Sequence, residues 1–139
     1  MIGAVPIDAP LPSGLLVEAR GAAGVMKIED WHSTEGFLAS AESTVSTNLL
    51  GPIRLIAAFI DHFQLQPDSM ILTVSSGVAF TPLSLTPSYN ASKAAIHLLS
   101  ESMRLQLVDT SVKVLELVPP SVRTALVPAA EQPARGSAR

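Results

Sequence analysis

The pattern of apolar residues predicts two long helices in the middle of the chain. From residue 41 to residue 63, apolar side chains recur at the three- and four-residue intervals of a helix face, and Gly51–Pro52 predicts a kink within this stretch. A second helix is expected over residues 88–107. Its apolar side is expected to consist of Ala91, Ala94, Ala95, Leu98, Leu99 and Met103.

Two short apolar runs predict strands. Met70–Val74 is bounded by turn residues, and Val112–Val118 is ended by Pro119–Pro120 because proline cannot donate to a strand ladder. Helix, strand, helix and strand therefore alternate with short connections, which is typical of parallel strands joined by crossover helices. The predicted fold class is α/β.

Both ends of the chain lack these patterns. Residues 1–20 contain Pro6, Pro10 and Pro12 and are expected to be an irregular, proline-rich lead. Residues 128–139 are expected to form a flexible tail. The ordered domain should therefore lie within residues 21–127.

Composition and charge exclude several kinds of site. The 139 residues include no cysteine, which excludes a disulfide scaffold, a thiolate metal site and a cysteine nucleophile. A formal net charge of −3 supplies no basic surface of the kind that nucleic acids require. His32, His62 and His97 lack the spacing of a metal motif. We expect neither a nucleic-acid partner nor a bound metal.

No stretch of the sequence predicts a membrane span. The longest apolar run, Leu49 to Ile60, contains Pro52 and Arg54 and is shorter than the roughly 20 residues that cross a bilayer. The segment from Met1 to Leu16 has no basic start and is interrupted by prolines, unlike an export signal. We expect no membrane partner and a cytoplasmic location.

Tyr89 and Lys93 are the most suggestive pair for chemistry. Tyr89 is the chain's single tyrosine, and a spacing of four residues places both side chains on one helix face. A phenol has an ordinary pKa near 10, so it needs a neighbouring cation to exchange protons at neutral pH. Spacing alone leaves the alternative of a packed tyrosine and a solvated lysine equally open.

Ser76 and Asn48 are two further candidates. Ser76 follows the first strand at its carboxyl end, where open α/β sheets bind ligands, and its hydroxyl is suited to orient a carbonyl. A turn residue is the alternative, and Ser75 is equally placed. Asn48 lies inside the first helix, where an amide competes with backbone hydrogen bonds. A solvent-facing position remains possible for it.

Four segments follow one another in a characteristic order. Thr47–Gly51 looks like a helix that bears a structural asparagine, and Thr73–Ser76 matches a strand that delivers a catalytic serine. Tyr89–Lys93 matches a Tyr-x-x-x-Lys motif with the common Ala-Ser before the lysine, and Pro119–Thr124 resembles a Pro-Gly-x-x-x-Thr segment. In this combination the chain resembles the classical short-chain dehydrogenase/reductase family.

The resemblance implies a Rossmann-like, doubly wound parallel sheet and a hydride transfer between NAD or NADP and a small carbonyl or alcohol. Tyr89 would be the general acid/base, and Lys93 would lower its pKa and bind the nicotinamide ribose. Ser76 would hold the substrate oxygen, and Asn48 would support a water in the proton relay. Tyr89, Lys93, Pro119, Val122 and Thr124 would contact the cofactor.

The resemblance covers only the catalytic half of that fold. The family's glycine-rich turn, which holds the cofactor pyrophosphate, is not found. Gly21–Gly24 instead resembles the later Asn-Asn-Ala-Gly motif. We therefore expect an N-terminally truncated domain without the first βαβ units. The chain is either an NAD(P)-dependent oxidoreductase or an inactive fragment that acts at most as a dimerisation module.

The resemblance also implies an assembly. Members of this family commonly dimerise through two long helices, which correspond here to residues of about 41–63 and 88–107. The broad apolar surface of the first helix is consistent with such a homodimer, although burial within one chain explains it nearly as well. We expect the isolated chain to be poorly stable as a monomer.

Overall fold

The computed structural model describes residues 24–119, and these form a small α/β unit. Helices α1 (Leu38–Val45) and α2 (Gly51–Gln64) are followed by strand β1 (Ser69–Val74), helix α3 (Pro87–Gln106) and strand β2 (Val112–Leu117). The two predicted helices and two predicted strands are thus present in the predicted order. The expected lead at 1–20 and tail at 128–139 lie outside the described residues.

A turn of π-helix joins α1 to α2. It spans Ser46–Leu50 and contains the buried Asn48. Pro52 lies at the start of α2, where its missing N–H costs little. The predicted interruption at Gly51–Pro52 therefore takes the form of a wider turn immediately before it, and such turns frequently mark functional sites.

The two strands pair in parallel. The register runs from Ser69 opposite Val112 to Val74 opposite Leu117, and α3 forms the connection between the strands. Phe63, Ile71 and Val112 form the core cluster, against which Ile56 and Ile60 of α2 pack. In a parallel pair, the carboxyl ends of the two strands lie at the same edge of the sheet, and Ser76 follows β1 at that edge.

The predicted apolar side of α3 is wrong in part. Ala91 is exposed and Leu98 is 65% exposed, although both were placed on the buried side. The buried positions are mostly polar: Ser88, Asn90, Ser92, Lys93, Ile96 and Ser100. Small hydroxyl residues face the sheet because serine can satisfy its own hydroxyl against the helix backbone, as Ser100 does on the Ile96 carbonyl at 2.6 Å.

Among residues 24–119, one helical run is long and apolar enough to cross a membrane by length and composition alone, namely the 31 residues from Thr34 to Gln64. Most of its apolar window is exposed in the described part of the chain, although Ile56, Ile60 and Phe63 of this run pack onto the strands.

Candidate functional site

The end of β1 presents Ser76 at the edge of the sheet. The Ser75 amide continues the strand ladder by donating to the Leu117 carbonyl at 3.0 Å. Ser76 then leaves the ladder in extended conformation, and its hydroxyl accepts a 3.4 Å hydrogen bond from the Val78 amide at the start of a short 3-10 turn. The side chain is half-buried and borders Tyr89, whose pKa its hydroxyl affects.

Tyr89 and Lys93 lie one turn apart on α3, as their spacing predicts. The Lys93 ammonium lies 5.6 Å from the centroid of the Tyr89 ring. Its Nζ also donates a 3.0 Å hydrogen bond to the carbonyl of Val74, the last residue of β1. Lys93 therefore ties the helix to the strand that delivers Ser76, and the structure brings Ser76, Tyr89 and Lys93 together at one edge.

Burial dominates the proton affinities of this pair. Burial raises the pKa of the Tyr89 phenol, and the hydrogen bond with Ser76 offsets only part of that rise. Burial lowers the pKa of the Lys93 ammonium, since an apolar environment disfavours the charged form. The resemblance implied that Lys93 lowers the pKa of Tyr89, and burial of the phenol acts against that effect.

Asn48 lies apart from this cluster and anchors the segment that precedes it. Its Oδ1 accepts a hydrogen bond from the Val25 amide and its Nδ2 donates to the Val25 carbonyl, both at 2.8 Å. Nδ2 also lies 3.2 Å from the Ser92 hydroxyl, which donates to the Tyr89 carbonyl at 2.8 Å. A buried chain of hydrogen bonds thus joins Val25 to the backbone of Tyr89.

Two buried side chains that contact the backbone around Tyr89 carry little sequence signal. Ser92 forms part of the common Ala-Ser before the lysine, and that position alone could have drawn attention to it. Glu29 has no such motif, yet it is buried and contacts the first turn of α3. Only the fold brings Glu29 to Ser88, since 59 residues separate them.

The remaining predicted cofactor contacts are only partly within the described residues. Pro119 is half-buried and follows β2 at the same edge of the sheet as Ser76. Val122 and Thr124 lie outside the described residues. The Gly21–Gly24 segment is described from Gly24 onward, and the adjacent Val25 is the partner of Asn48.

Within residues 24–119, one cluster of two carboxylates and a histidine joins α3 and β2. His97, Glu101 and Glu116 place possible ligand atoms within 4.8 Å of one another. The His97 Nδ1 lies 2.9 Å from Glu116, while Arg104 pairs with Glu101 and also lowers the pKa of Glu116. The His97–Glu116 contact joins α3 to β2, whereas the Arg104–Glu101 ion pair lies within α3.

A shallow cleft opens beside Lys93 and Asn48. Gly24, Thr47 and the β1 residues from Ile71 to Val74 line it. Neither Ser76 nor Tyr89 contributes to its wall.

Comparisons with known proteins match this geometry to one family. The profile of the short chain dehydrogenase family matches residues 15–134. The uncharacterized oxidoreductase DltE of Bacillus subtilis is 41% identical over 104 residues, which cover 75% of this chain and 41% of that protein.

Solved structures agree with the sequence relatives. A short-chain dehydrogenase from Sphingobium yanoikuyae in complex with NADPH superposes with a TM-score of 0.66 at 26% identity, covering 76% of this chain and 41% of that one. The bulky-bulky ketone specific alcohol dehydrogenase from Comamonas testosteroni superposes with a TM-score of 0.63 at 25% identity and the same coverage. The chain spans less than half the length of each of these relatives.

Proposed function

The chain belongs to the short-chain dehydrogenase family of oxidoreductases, and from that premise we propose that it interconverts a carbonyl compound and an alcohol, both small molecules, with NAD or NADP as cofactor. The observation that carries the proposal is the convergence of Ser76, Tyr89 and Lys93 at the carboxyl edge of the two strands. The cofactor of the Sphingobium relative and the ketone specificity of the Comamonas relative support it.

In this mechanism Tyr89 is the general acid of carbonyl reduction. Its phenol would donate a proton to the oxygen that gains negative charge, and Lys93, 5.6 Å from the ring centroid, is the neighbouring cation that would promote this transfer. The Ser76 hydroxyl is adjacent and would hold the same oxygen by a hydrogen bond. In the reverse direction, the deprotonated phenol would accept the proton of the alcohol.

The donor groups present fit the nicotinamide end of a cofactor. An ammonium offers three N–H donors, and Val74 occupies one of those of Lys93. The remaining donors suit ribose hydroxyls, and Pro119, Val122 and Thr124 are the proposed contacts to the nicotinamide. The bound cofactor would supply or accept the hydride.

We assign a supporting role to Asn48. Its side chain is engaged with Val25 and Ser92, so it holds the π-helical turn against the segment after Gly24. A water in the proton relay would therefore be supported by the shape of this turn.

A second candidate function is a dimerisation module without catalysis. Apolar side chains of α2 that are more than a third exposed favour it, namely Ile53, Leu55 and Phe59. In either case we propose a homodimer through the helices at about 41–63 and 88–107, a cytoplasmic location, and no nucleic-acid or membrane partner.

The first test is cofactor binding followed by turnover. NADH and NADPH are titrated into the chain by calorimetry, and reduction of a panel of ketones is then followed by loss of nicotinamide absorbance. Tyr89→Phe should lower kcat by about 10²- to 10⁴-fold while cofactor affinity changes little, because positioned proton transfer typically contributes that much. Ser84→Ala, which removes an exposed hydroxyl from the loop before α3, is the control.

Two results would contradict the proposal. Full turnover by Tyr89→Phe would remove the phenol from the reaction. An absence of binding heat at millimolar NADH and NADPH would exclude catalysis by this chain and favour the dimerisation module.

A further inference from the structure

The helix that bears Tyr89 and Lys93 begins without a cap of its own. Thr86 precedes Pro87 at the start of α3, and its side chain makes no hydrogen bond to a helix amide. The Thr86 hydroxyl donates to the Asn90 side chain instead, at 3.2 Å. The amides of the first helical turn have no partner inside the helix, so the Ser88 amide depends on a group from elsewhere.

Glu29 supplies that group from a distant part of the chain. Its Oε2 accepts a 3.0 Å hydrogen bond from the Ser88 amide, one residue before Tyr89. The Glu29 amide donates to the Leu85 carbonyl, also at 3.0 Å. Glu29 thus forms hydrogen bonds with both ends of the Leu85–Ser88 segment, which leads into the first turn of α3.

The carboxylate of Glu29 is itself held in place. Only 7% of the residue is exposed, the Trp31 indole N–H donates to Oε2 at 3.0 Å, and the Ser40 hydroxyl donates to Oε1 at 2.8 Å. Burial raises the pKa of this carboxyl, but the hydrogen bonds from Trp31, Ser88 and Ser40 outweigh burial and hold the pKa below its usual value. Glu29 is therefore a charged acceptor in a fixed orientation at a helix N-terminus.

We propose that Glu29 is a positioning residue for Tyr89, acting through the Ser88 amide. The carboxylate holds the first turn of α3 in one position and orientation, and this keeps the Tyr89 phenol next to Ser76. The inference rests on the proposed function for its consequence in catalysis, while its structural part concerns Tyr89 in the free chain and needs no cofactor.

Two substitutions separate hydrogen-bond reach from charge. Glu29→Gln keeps the length of the side chain, so its amide oxygen can still accept from Ser88 and Trp31 while its amide nitrogen faces the Ser40 hydroxyl. Glu29→Asp keeps the charge but is one methylene too short to reach the Ser88 amide. If Glu29 positions Tyr89 by its reach, Glu29→Gln should keep the Tyr89 position and Glu29→Asp should not. If the charge matters instead, the two variants should behave in the opposite way.

The first readout is spectroscopic and uses the whole chain. Tyr89 is the single tyrosine and Trp31 the single tryptophan, so ¹³C-tyrosine NMR reports one phenol and fluorescence reports the Glu29 loop. In Glu29→Asp we expect a changed Tyr89 ring signal and at least tenfold faster hydrogen exchange at the Ser88 amide. In Glu29→Gln the Tyr89 ring signal should keep its position, and the Ser88 amide should exchange within about twofold of its rate in the parent chain. Glu42→Gln, which removes an exposed charge from α1, is the matched control.

The second readout is kinetic and separates this inference from the proposed function. If the chain reduces ketones, Glu29→Asp should lower kcat about tenfold with little change in KM, and Glu29→Gln should restore most of it. If the chain is inactive but the NMR and exchange results follow the order above, the positioning role holds and the proposed function fails.

Two outcomes would overturn the positioning role. An unchanged Tyr89 signal and Ser88 exchange rate in folded Glu29→Asp would show that reach is unimportant. A larger change in Glu29→Gln than in Glu29→Asp would assign the effect to charge. If Glu29→Asp does not fold, a Glu29→Gln chain that folds with a displaced Tyr89 signal would overturn the role equally.

Discussion

Asn48 shows how one side chain can connect two parts of the site. Its carboxamide presents an acceptor and a donor, and the Val25 backbone presents the complementary donor and acceptor at 2.8 Å. Leucine or alanine could occupy the helix at lower local cost, but neither can satisfy a peptide group in this way. The amide therefore stabilises the contact between the π-helical turn and the segment after Gly24.

Removing this amide should destabilise the chain measurably. Asn48→Ala leaves the N–H and C=O of Val25 without their partner, and an unsatisfied buried group costs about 1–3 kcal/mol. We expect the free energy of unfolding to fall by about 2 kcal/mol, measured as a lower urea midpoint at unchanged m-value. Gln64→Ala removes an exposed amide at the end of α2 and should change stability by less than about 0.5 kcal/mol. Equal midpoints for the two variants would contradict the assigned contact.

Some residues of the site could be predicted from the sequence, and others could not. Tyr89 and Lys93 could be placed together because helix periodicity fixes which side chains share a face, and the structure confirms their proximity. The direction of the Tyr89 pKa could not be predicted in the same way, since it depends on how deeply the surrounding chain buries the phenol. Glu29 escaped notice because its partner lies 59 residues away.

Helix α3 approaches the sheet closely because its inner face is made of small polar residues. Ser100 is fully buried, and its hydroxyl lies 2.7 Å from the Thr73 hydroxyl on β1. A larger side chain at that position would push the helix from the strand. Lys93 on the same helix reaches the Val74 carbonyl, so the close approach that the small residues allow also brings Lys93 to the end of β1.

Enlarging Ser100 should therefore be costly. Ser100→Leu adds a net two heavy atoms at a fully buried position, and overpacking of this kind typically costs about 1–3 kcal/mol. Ser102→Leu is the same exchange at an exposed position on the same helix and should be nearly neutral. The two variants are compared by urea unfolding, and equal midpoints would show that α3 can shift without penalty.

The helices and strands themselves were predictable, but the buried face of α3 was not. Its bounds of Pro87–Gln106 lie within one residue of the predicted 88–107, because Pro87 and Asp109–Thr110 limit the helix locally. The buried face was wrong because periodicity assigns apolar residues to the core. On α3, serine residues whose hydroxyls bond to the helix backbone replace these apolar residues. Their small size suits the short distance between helix and sheet.

At the scale of the whole molecule, the described part of the chain has a small buried core and many exposed large apolar side chains. Phe63, Ile71 and Val112 form the core cluster, whereas Leu115 and Leu117 of β2 remain nearly half exposed. Exposed apolar surface of this kind marks sites of contact with other protein surface. The motif order identified the family from sequence, but only the coordinates show how much of the surface is apolar.

The proposed homodimer gives the last prediction. Leu55 on α2 and Leu98 on α3 are exposed and apolar, and both lie in the helices assigned to the interface. Sedimentation velocity should show a species of about twice the 14.6 kDa chain mass. Leu55→Glu combined with Leu98→Glu should convert it to monomer, because each buries an unpaired charge at the interface. Leu65→Glu, in the turn after α2, introduces the same charge outside the two helices and should leave the dimer intact.

A parent chain that sediments as a compact monomer up to about 100 μM would contradict the assembly, since a stable interface of about 800 Å² per partner persists well below that concentration.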